Sequence, residues 1–274
     1  MSPVPFVPWR GFTPLADRNA IARGPVAVFA PHPDDEVIGC GGALAFHAER
    51  GDAVHVLQMT GGERGDPRGL AGETPRAPAP DSPRALARDW PRALARDSLI
   101  ATRLAESRAA AVILGVHETV ALGFPDGRLA PDEEVVARLL AELRRIAPAV
   151  AYAPSPLECH PDHLATCVAA AAALAHHDAP VRLLLFEVNH PTLASFLLDV
   201  TLWIGKKREA LAQFRSQLRY TDVVGKSLAG GYARTVNVDL QDVQYAEAFL
   251  ELAPARVADF CAELAAFQRR FGLP

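Results

Sequence analysis

A chain of 274 residues with a formal net charge of -4 and 22% charged residues shows no basic cluster of the kind that tracks a phosphate backbone, so a nucleic-acid partner is excluded. Half of its residues are hydrophobic, enough for a substantial core. No apolar run reaches the roughly 18 residues that a membrane-spanning helix needs.

The N-terminal stretch MSPVPFVPWRGFTPLADRN holds four prolines and lacks a basic-then-apolar order. Residues 1–24 are therefore read as an extension and not as a secretory signal. Its Phe6, Trp9 and Phe12 would either cover an interface, as in a homo-oligomer, or close the edge of a sheet. Short apolar runs bounded by turn residues then predict strands at Val26 to Pro31, Ala53 to Thr60, Thr119 to Phe124, Ala149 to Pro154 and Arg182 to Val188. Helices are predicted between them, over 36–50, 92–114, 132–146 and 162–177. Continuous apolar strands alternating with helices give an α/β, Rossmann-like architecture: a mostly parallel sheet flanked by helices, as one domain over residues 1–274. The later segments 203–219 and 242–271 read as mainly helical, with an extended Thr235 to Leu240 between them.

Residues 63–90, rich in Gly, Pro and Arg, read as a surface loop and helix entrance beyond a strand end, where α/β loops carry function. The heptapeptide PRALARD occurs at Pro83 to Asp89 and again at Pro91 to Asp97, a spacing that fits neither a solenoid unit nor a heptad. It is read as a small duplication that lengthens the helix entrance. Cys40, Cys159, Cys167 and Cys261 show neither C-x-x-C spacing nor disulfide density, which points to a reducing cytoplasm. Cys40 and Cys159 are taken as small buried thiols.

Two segments concentrate the chemistry: His32-Pro33-Asp34-Asp35-Glu36 after the first strand and His160-Pro161-Asp162-His163 after the fourth. Three adjacent carboxylates repel one another and call for a positive partner. Pro33 and Pro161 suit the first turn of a helix, where a missing N–H costs nothing. Two imidazoles and one carboxylate on a divalent ion match open catalytic zinc, with His32, Asp35 and His163 as ligands. The same set matches a two-His-one-carboxylate iron site, so spacing leaves the choice between Zn2+, Fe2+ and another divalent ion open. Asp34 is the candidate base for an attacking water, and His160 the candidate to stabilise an oxyanion or protonate a leaving amine. Asp162 would hold the His160 ring in its tautomer. Gly41 and Gly42 fit either close helix–sheet packing or a functional role. His176 and His177 suit a helix end, and His47 and His55 read as surface or core residues.

At these residues the sequence resembles the LmbE-like, or PIG-L, family of zinc-dependent N-deacetylases. Its two motifs stand here as Pro31 to Glu36, with proline replacing an alanine, and as His160 to His163. Thr60 to Gly69 resembles the family's substrate-side loop. Arg103 to Val116 and Gly123 to Leu129 resemble its R-x-x-E helix and DG loop. Phe186 to Val188, Asp199, Lys207, Ser216-Gln217 and Tyr245 to Phe249 fall at family-like spacings. The resemblance implies removal of an N-acetyl group from a small amino-sugar substrate of the N-acetylglucosamine type. It also implies zinc on His32, Asp35 and His163, Asp34 as base, and His160, oriented by Asp162, as acid or oxyanion partner. Glu63, Arg64, Arg68 and Asp126 are candidate sugar contacts. Glu158 stands where some members carry an aromatic hydroxyl, so it is expected to hold sugar hydroxyls or to order an arginine.

Two further readings keep the same residues: an amidase acting on a thiol conjugate or acylated antibiotic, and a non-catalytic sugar-binding protein. The second would expect a lost ligand or base, and none is missing. A nucleotide-binding sheet is disfavoured, because acids replace the G-x-G-x-x-G turn and would repel a pyrophosphate.

Overall fold

The structure, a computed structural model, describes residues 14–65 and 92–271. The strand β1 (Val26–Ala30) is buried along its whole length, as is β2 (Val54–Thr60). Such uninterrupted burial suits strands covered on both faces. With β3 (Glu118–Phe124), β4 (Val150–Pro154) and β5 (Arg182–Phe186) they form a parallel array. Two further strands extend it antiparallel: β7 (Ala246–Leu252) pairs with β5, and β6 (Phe196–Asp199) pairs with β7. The sheet order is β3-β2-β1-β4-β5-β7-β6.

Alternate residues of each strand feed two cores. Val26, Val28 and Ala30 pack with α1 (Asp35–Glu49) and with α2 (Arg92–Leu114), through Val37, Leu44, Ala110 and Leu114. The α5 helix (Ile204–Leu211) adds Ala210 and Leu211 to the same face. On the other face, Ala27 and Phe29 meet Leu139 and Leu143 of α3 (Glu133–Ile146) and the alanine-rich α4 (Pro161–Ala175). Strand order reverses between β1 and β4, which places a crevice at their carboxyl ends. Both His-Pro-Asp segments lie there.

The C-terminal third differs from expectation. The predicted helix over 242–271 is a strand, β7, followed by α8 (Val257–Phe271), and of the segment Thr235 to Leu240, expected to be extended, residues 235–237 form a turn and 238–240 belong to no regular element. The predicted helix over 203–219 is interrupted, as α5 and the short α6 (Arg215–Leu218). An unanticipated α7 (Val223–Ala233) forms despite three glycines, capped by Asp222, whose carboxylate accepts from Gly225 N (2.8 Å). At the sheet edge Leu15 pairs with Leu197, so this part of the extension covers β6, while Phe6, Trp9 and Phe12 lie outside the described residues. The first PRALARD copy lies outside the described residues, and the second leads into α2.

The α1 helix is broken at Cys40 (φ -140°, ψ 19°). At the break, Glu247 of β7 accepts from Gly42 N and Ala43 N (2.8 Å each), and Lys207 Nζ donates to Ile38 O (2.8 Å) and to Glu247 Oε1 (2.7 Å). A buried ion pair thus satisfies both the carbonyl and the amides that a break leaves orphaned. Gly42 has a packing reason, since a Cβ there would lie 2.6 Å from that of Val200.

Candidate functional site

The carboxyl end of β1 is tied to β2, since Thr60 donates to Pro31 O through its amide (3.1 Å) and its hydroxyl (2.9 Å). The chain then turns so that His32 N donates to Asp35 Oδ2 (2.9 Å), with His32 Nδ1 3.1 Å from the same oxygen. The helix begins only at Asp35, so Pro33 lies ahead of the cap and not in the first turn as predicted. Asp34, the cap, has φ +131°, a conformation that a residue with a Cβ adopts only under strain. At the end of β4 the expectation for proline holds: His160 is the cap and Pro161 the first helical residue of α4.

The two segments meet. Asp35 Oδ2 lies 3.2 Å from His163 Nε2, and the His32 ring centroid is 4.8 Å from that of His160 and 5.4 Å from that of His163. Donor atoms of His32, His160 and His163 lie within 4.8 Å of one another, as do those of His32, Asp126 and Asp162. His32 Nε2 is 3.3 Å from both Asp126 Oδ1 and Asp162 Oδ2. Burial works against charge on His32, yet hydrogen bonds to Asp126, Asp162 and Asp35 hold its ring well above the usual imidazole range. Burial likewise opposes charge on His163, but the Asp35 charge and hydrogen bond, with Glu158, raise it to about 9. Imidazoles and carboxylates converging where the field demands positive charge are a donor set that fits a divalent cation.

Asp34 stands to one side of these donors. Burial raises its carboxyl to about 6, partly offset by Arg103, whose Nη2 lies 3.1 Å from Asp34 Oδ2. Arg103, buried on α2, also donates to Gly62 O and Pro33 O (2.8 Å each). Glu36 Oε2 accepts from Asp34 N (3.1 Å), and Ser107 Oγ donates to Glu36 Oε1 (3.0 Å). Burial pushes Glu36 up to about 7. His160, half-buried, is held below the usual range by burial and by its neighbours His32 and His163.

Two assignments change on inspection of the contacts. The Asp162 carboxylate does not reach the His160 ring. It faces His32 and accepts from Gly127 N (2.6 Å) and Leu129 N (3.2 Å), which brings in the DG loop. The His160 ring instead accepts from the Asp162 amide at Nδ1 (3.2 Å). Among the described residues Glu158 meets no arginine: its carboxylate touches His163 and backbone amides and is fully buried. Asp126 is within the cluster. Burial opposes its ionisation, but His32 and the Arg64 amide (2.7 Å) hold it at about 2. Glu63 is buried beside it, accepting from Asp126 N (3.2 Å), while Arg64 is exposed at the rim. Arg68 lies outside the described residues. Cys40 is buried, whereas Cys159 is exposed and not the buried thiol expected. Arg103 and Glu36 stand in motifs that the sequence shows, but the sequence reading gives neither a role in the site. A signal existed: Arg103, Ser107, Ala110 and Leu114 share one helix face, so an arginine occupies a core-facing stripe.

A family model described as PIG-L, GlcNAc-PI de-N-acetylase, matches residues 27–174, from β1 to the last turn of α4. The diacetylchitobiose deacetylase of Thermococcus kodakarensis is 30% identical over 142 residues, covering 50% of this chain and 44% of that protein. The 1D-myo-inositol 2-acetamido-2-deoxy-alpha-D-glucopyranoside deacetylase of Kineococcus radiotolerans is 34% identical over 189 residues, 58% of this chain and 44% of that one. The chain thus spans less than half the length of these curated relatives. Among solved structures, GalB, the 4-carboxy-2-hydroxymuconate hydratase of Pseudomonas putida KT2440, superposes with a TM-score of 0.67 at 25% identity, covering 84% of this chain and 96% of that one.

Proposed function

The chain belongs to the PIG-L family, and from that membership we propose that it is a metal-dependent hydrolase removing an N-acetyl group from an amino sugar or its conjugate. The observation that carries the reading is the meeting of His32, Asp35, His160 and His163 beside a buried, strained Asp34. His32, Asp35 and His163 would hold the cation, with zinc the proposed ion. When bound, a divalent cation supplies Lewis acidity toward the amide carbonyl and the attacking water.

The protein groups do the rest. Asp34, raised to about 6, is a base matched to neutral pH and takes the water proton on its carboxylate as the oxygen adds to the carbonyl carbon. Arg103 holds that carboxylate in place without blocking both oxygens. His160, on the other segment, accepts from the Asp162 amide at Nδ1 and so offers its Nε2–H to the oxyanion, while Asp34 passes the water proton on to the departing nitrogen. Such donors contribute about 3–4 kcal/mol each in other acyl-transfer sites. The C–N bond then breaks to give acetate and a free amine. Asp126, Glu63 and Arg64 are the sugar contacts proposed, with Arg68 retained from the sequence. Asp162, bonded to the Gly127 and Leu129 amides, fixes the DG loop that carries Asp126. The one-domain organisation belongs to the same proposal, supported by a single sheet that joins Val26 to Leu252. So does a reducing cytoplasm, supported by four free cysteines. Among the described residues no helix is long and apolar enough to cross a membrane.

The likeness to a hydratase supports a second reading, addition of water to an unsaturated polycarboxylate. The charge balance weighs against it: among the described residues the site is rich in carboxylates, and its buried arginine, Arg103, is engaged by Asp34 and two carbonyls. The test is amine release from a panel of N-acetylated amino sugars and their glycosides, with a hydroxymuconate alongside. It is run on metal-stripped protein, after zinc is restored, and with Asp34→Ala. Zinc-restored release that falls by about 10²–10⁴ in Asp34→Ala is the expected result. Hydration of the muconate without amine release would replace the deacetylase reading.

A further inference from the structure

Glu158 was expected to meet the substrate, and its surroundings give it no means to do so. Oε1 accepts from Val188 N (2.7 Å), Asn189 N (3.1 Å) and His190 N (3.2 Å), and Oε2 accepts again from Asn189 N (3.1 Å). The remaining contact is Oε2 to His163 Nδ1, 3.2 Å. A carboxylate offers about four acceptor positions, so these contacts saturate it. Its side chain is 0% exposed.

From this we infer that Glu158 is a positioning residue which fixes the tautomer and orientation of His163, using the loop after β5 as its anchor. An ionised carboxylate can only accept, so the ring proton must reside on His163 Nδ1. The nitrogen that gives up its proton to leave a lone pair for a cation is then Nε2, the atom 3.2 Å from Asp35 Oδ2. The direction of the ring follows from the same contact, since Glu158 stands at the end of β4 and its other oxygen is gripped by three successive amides beyond β5. Two strand ends are thereby stapled behind one imidazole. The carboxylate is also fixed before any ligand arrives, because its partners are backbone atoms. The inference rests on the proposal that His163 holds a divalent cation. In other metal sites, loss of such a carboxylate behind a ligating histidine lowers metal affinity by roughly 10–100-fold.

The test is Glu158→Gln, which keeps size and shape. The three amides claim the new side chain's one oxygen, leaving its NH2 toward His163 Nδ1. The ring must then accept at Nδ1 and carry its proton on Nε2, the wrong nitrogen for a cation. Zinc affinity, measured by competition with a chromophoric chelator, is expected to fall roughly 10–100-fold. The melting temperature of the metal-free protein should stay close to that of the parent. Nitrogen NMR of the histidine rings in the zinc-loaded parent should show His163 protonated at Nδ1, and this measurement decides even if the variant fails to fold. Unchanged zinc affinity in Glu158→Gln, or a proton on His163 Nε2 in the parent, would overturn the positioning role while leaving the metal site intact. A matching collapse of the metal-free melting temperature would overturn it too, by assigning Glu158 to loop stability alone. A parent protein that binds no zinc would instead overturn the reading of the site on which this role depends.

Discussion

At the end of β1, His32-Pro33-Asp34-Asp35 delays its helix to the fourth residue; at the end of β4, His160-Pro161-Asp162-His163 begins its helix at the second. The shared letters therefore sit in different backbones. In the first segment Asp34 is forced to φ +131° as the cap of α1, held by Glu36, Arg103 and burial. In the second, Asp162 lies within α4 and its carboxylate turns to His32 and the DG loop. One motif thus supplies a raised, strained acid, and the other a low, well-bonded one that scaffolds its neighbours. The helices that follow differ as well: α1 is broken at Cys40 and clamped by Lys207 and Glu247, whereas α4 carries no such clamp among the contacts described.

The largest expected effect attacks that clamp. Lys207→Met leaves Glu247 buried beside the Gly42 and Ala43 amides without its counter-charge. Breaking one side of a buried pair typically costs about 3–5 kcal/mol. Denaturant unfolding should report a loss of that size, and a change below about 1 kcal/mol would mean that α1 holds its break without help.

A second contrast lies at the far ends of the two helices. His176 caps α4 in the open, bonded to Ala172 O. His47 of α1 is buried, donating from Nδ1 to Asp52 (2.7 Å) and accepting at Nε2 from the Tyr152 hydroxyl of β4 (2.9 Å). Burial lowers the His47 ring to about 4, with the Asp52 hydrogen bond opposing it only in part. The unfolded chain then binds the extra proton as pH falls below about 6.5, the folded protein only near 4. Stability from this group is complete above 6.5 and lost as pH falls toward 4, about 3 kcal/mol in total and about 2 kcal/mol of it by pH 5. Unfolding measured at pH 7.5 and pH 5 should show this slope in the parent and a flatter one in His47→Gln. Equal slopes would place the acid sensitivity elsewhere.

These contrasts also mark how far the sequence could be read. The parallel strands and α1 to α4 are legible because their apolar runs and helical periods are set by local burial, and both motifs land at strand ends as the alternation requires. The strand β7 is not legible, because Ala246-Glu247-Ala248 is helix-forming in isolation. What makes it a strand is its place between β5 and β6, with the Glu247 charge met by Lys207 forty positions earlier. The helix α7 is hidden by Gly225, Gly230 and Gly231. In the site, the residue types were legible and the directions of the carboxylates were not. Glu158 and Asp162 point where distant amides call them, at Val188 to His190 and at Gly127 and Leu129, and no spacing within the motif encodes that.

The smallest expected effect isolates the backbone difference between the two third letters. Asp34→Ala and Asp34→Gly remove the same carboxylate, so the stability difference between them reports the backbone at φ +131° alone. A Cβ in a left-handed conformation costs about 1–2 kcal/mol, while glycine's extra freedom in the unfolded chain takes back about 0.4–1 kcal/mol. Asp34→Gly should therefore be the more stable by about 1 kcal/mol. Inside α4 the same pair must reverse, since glycine in a helix is worse than alanine by about 1 kcal/mol, so Asp162→Ala should be more stable than Asp162→Gly. Paired denaturant curves read both differences without reference to activity. Opposite signs at the two positions would tie the strain to the delayed helix start of the first motif. A common sign would mean that Asp34 relaxes in solution and that the two motifs share one backbone after all.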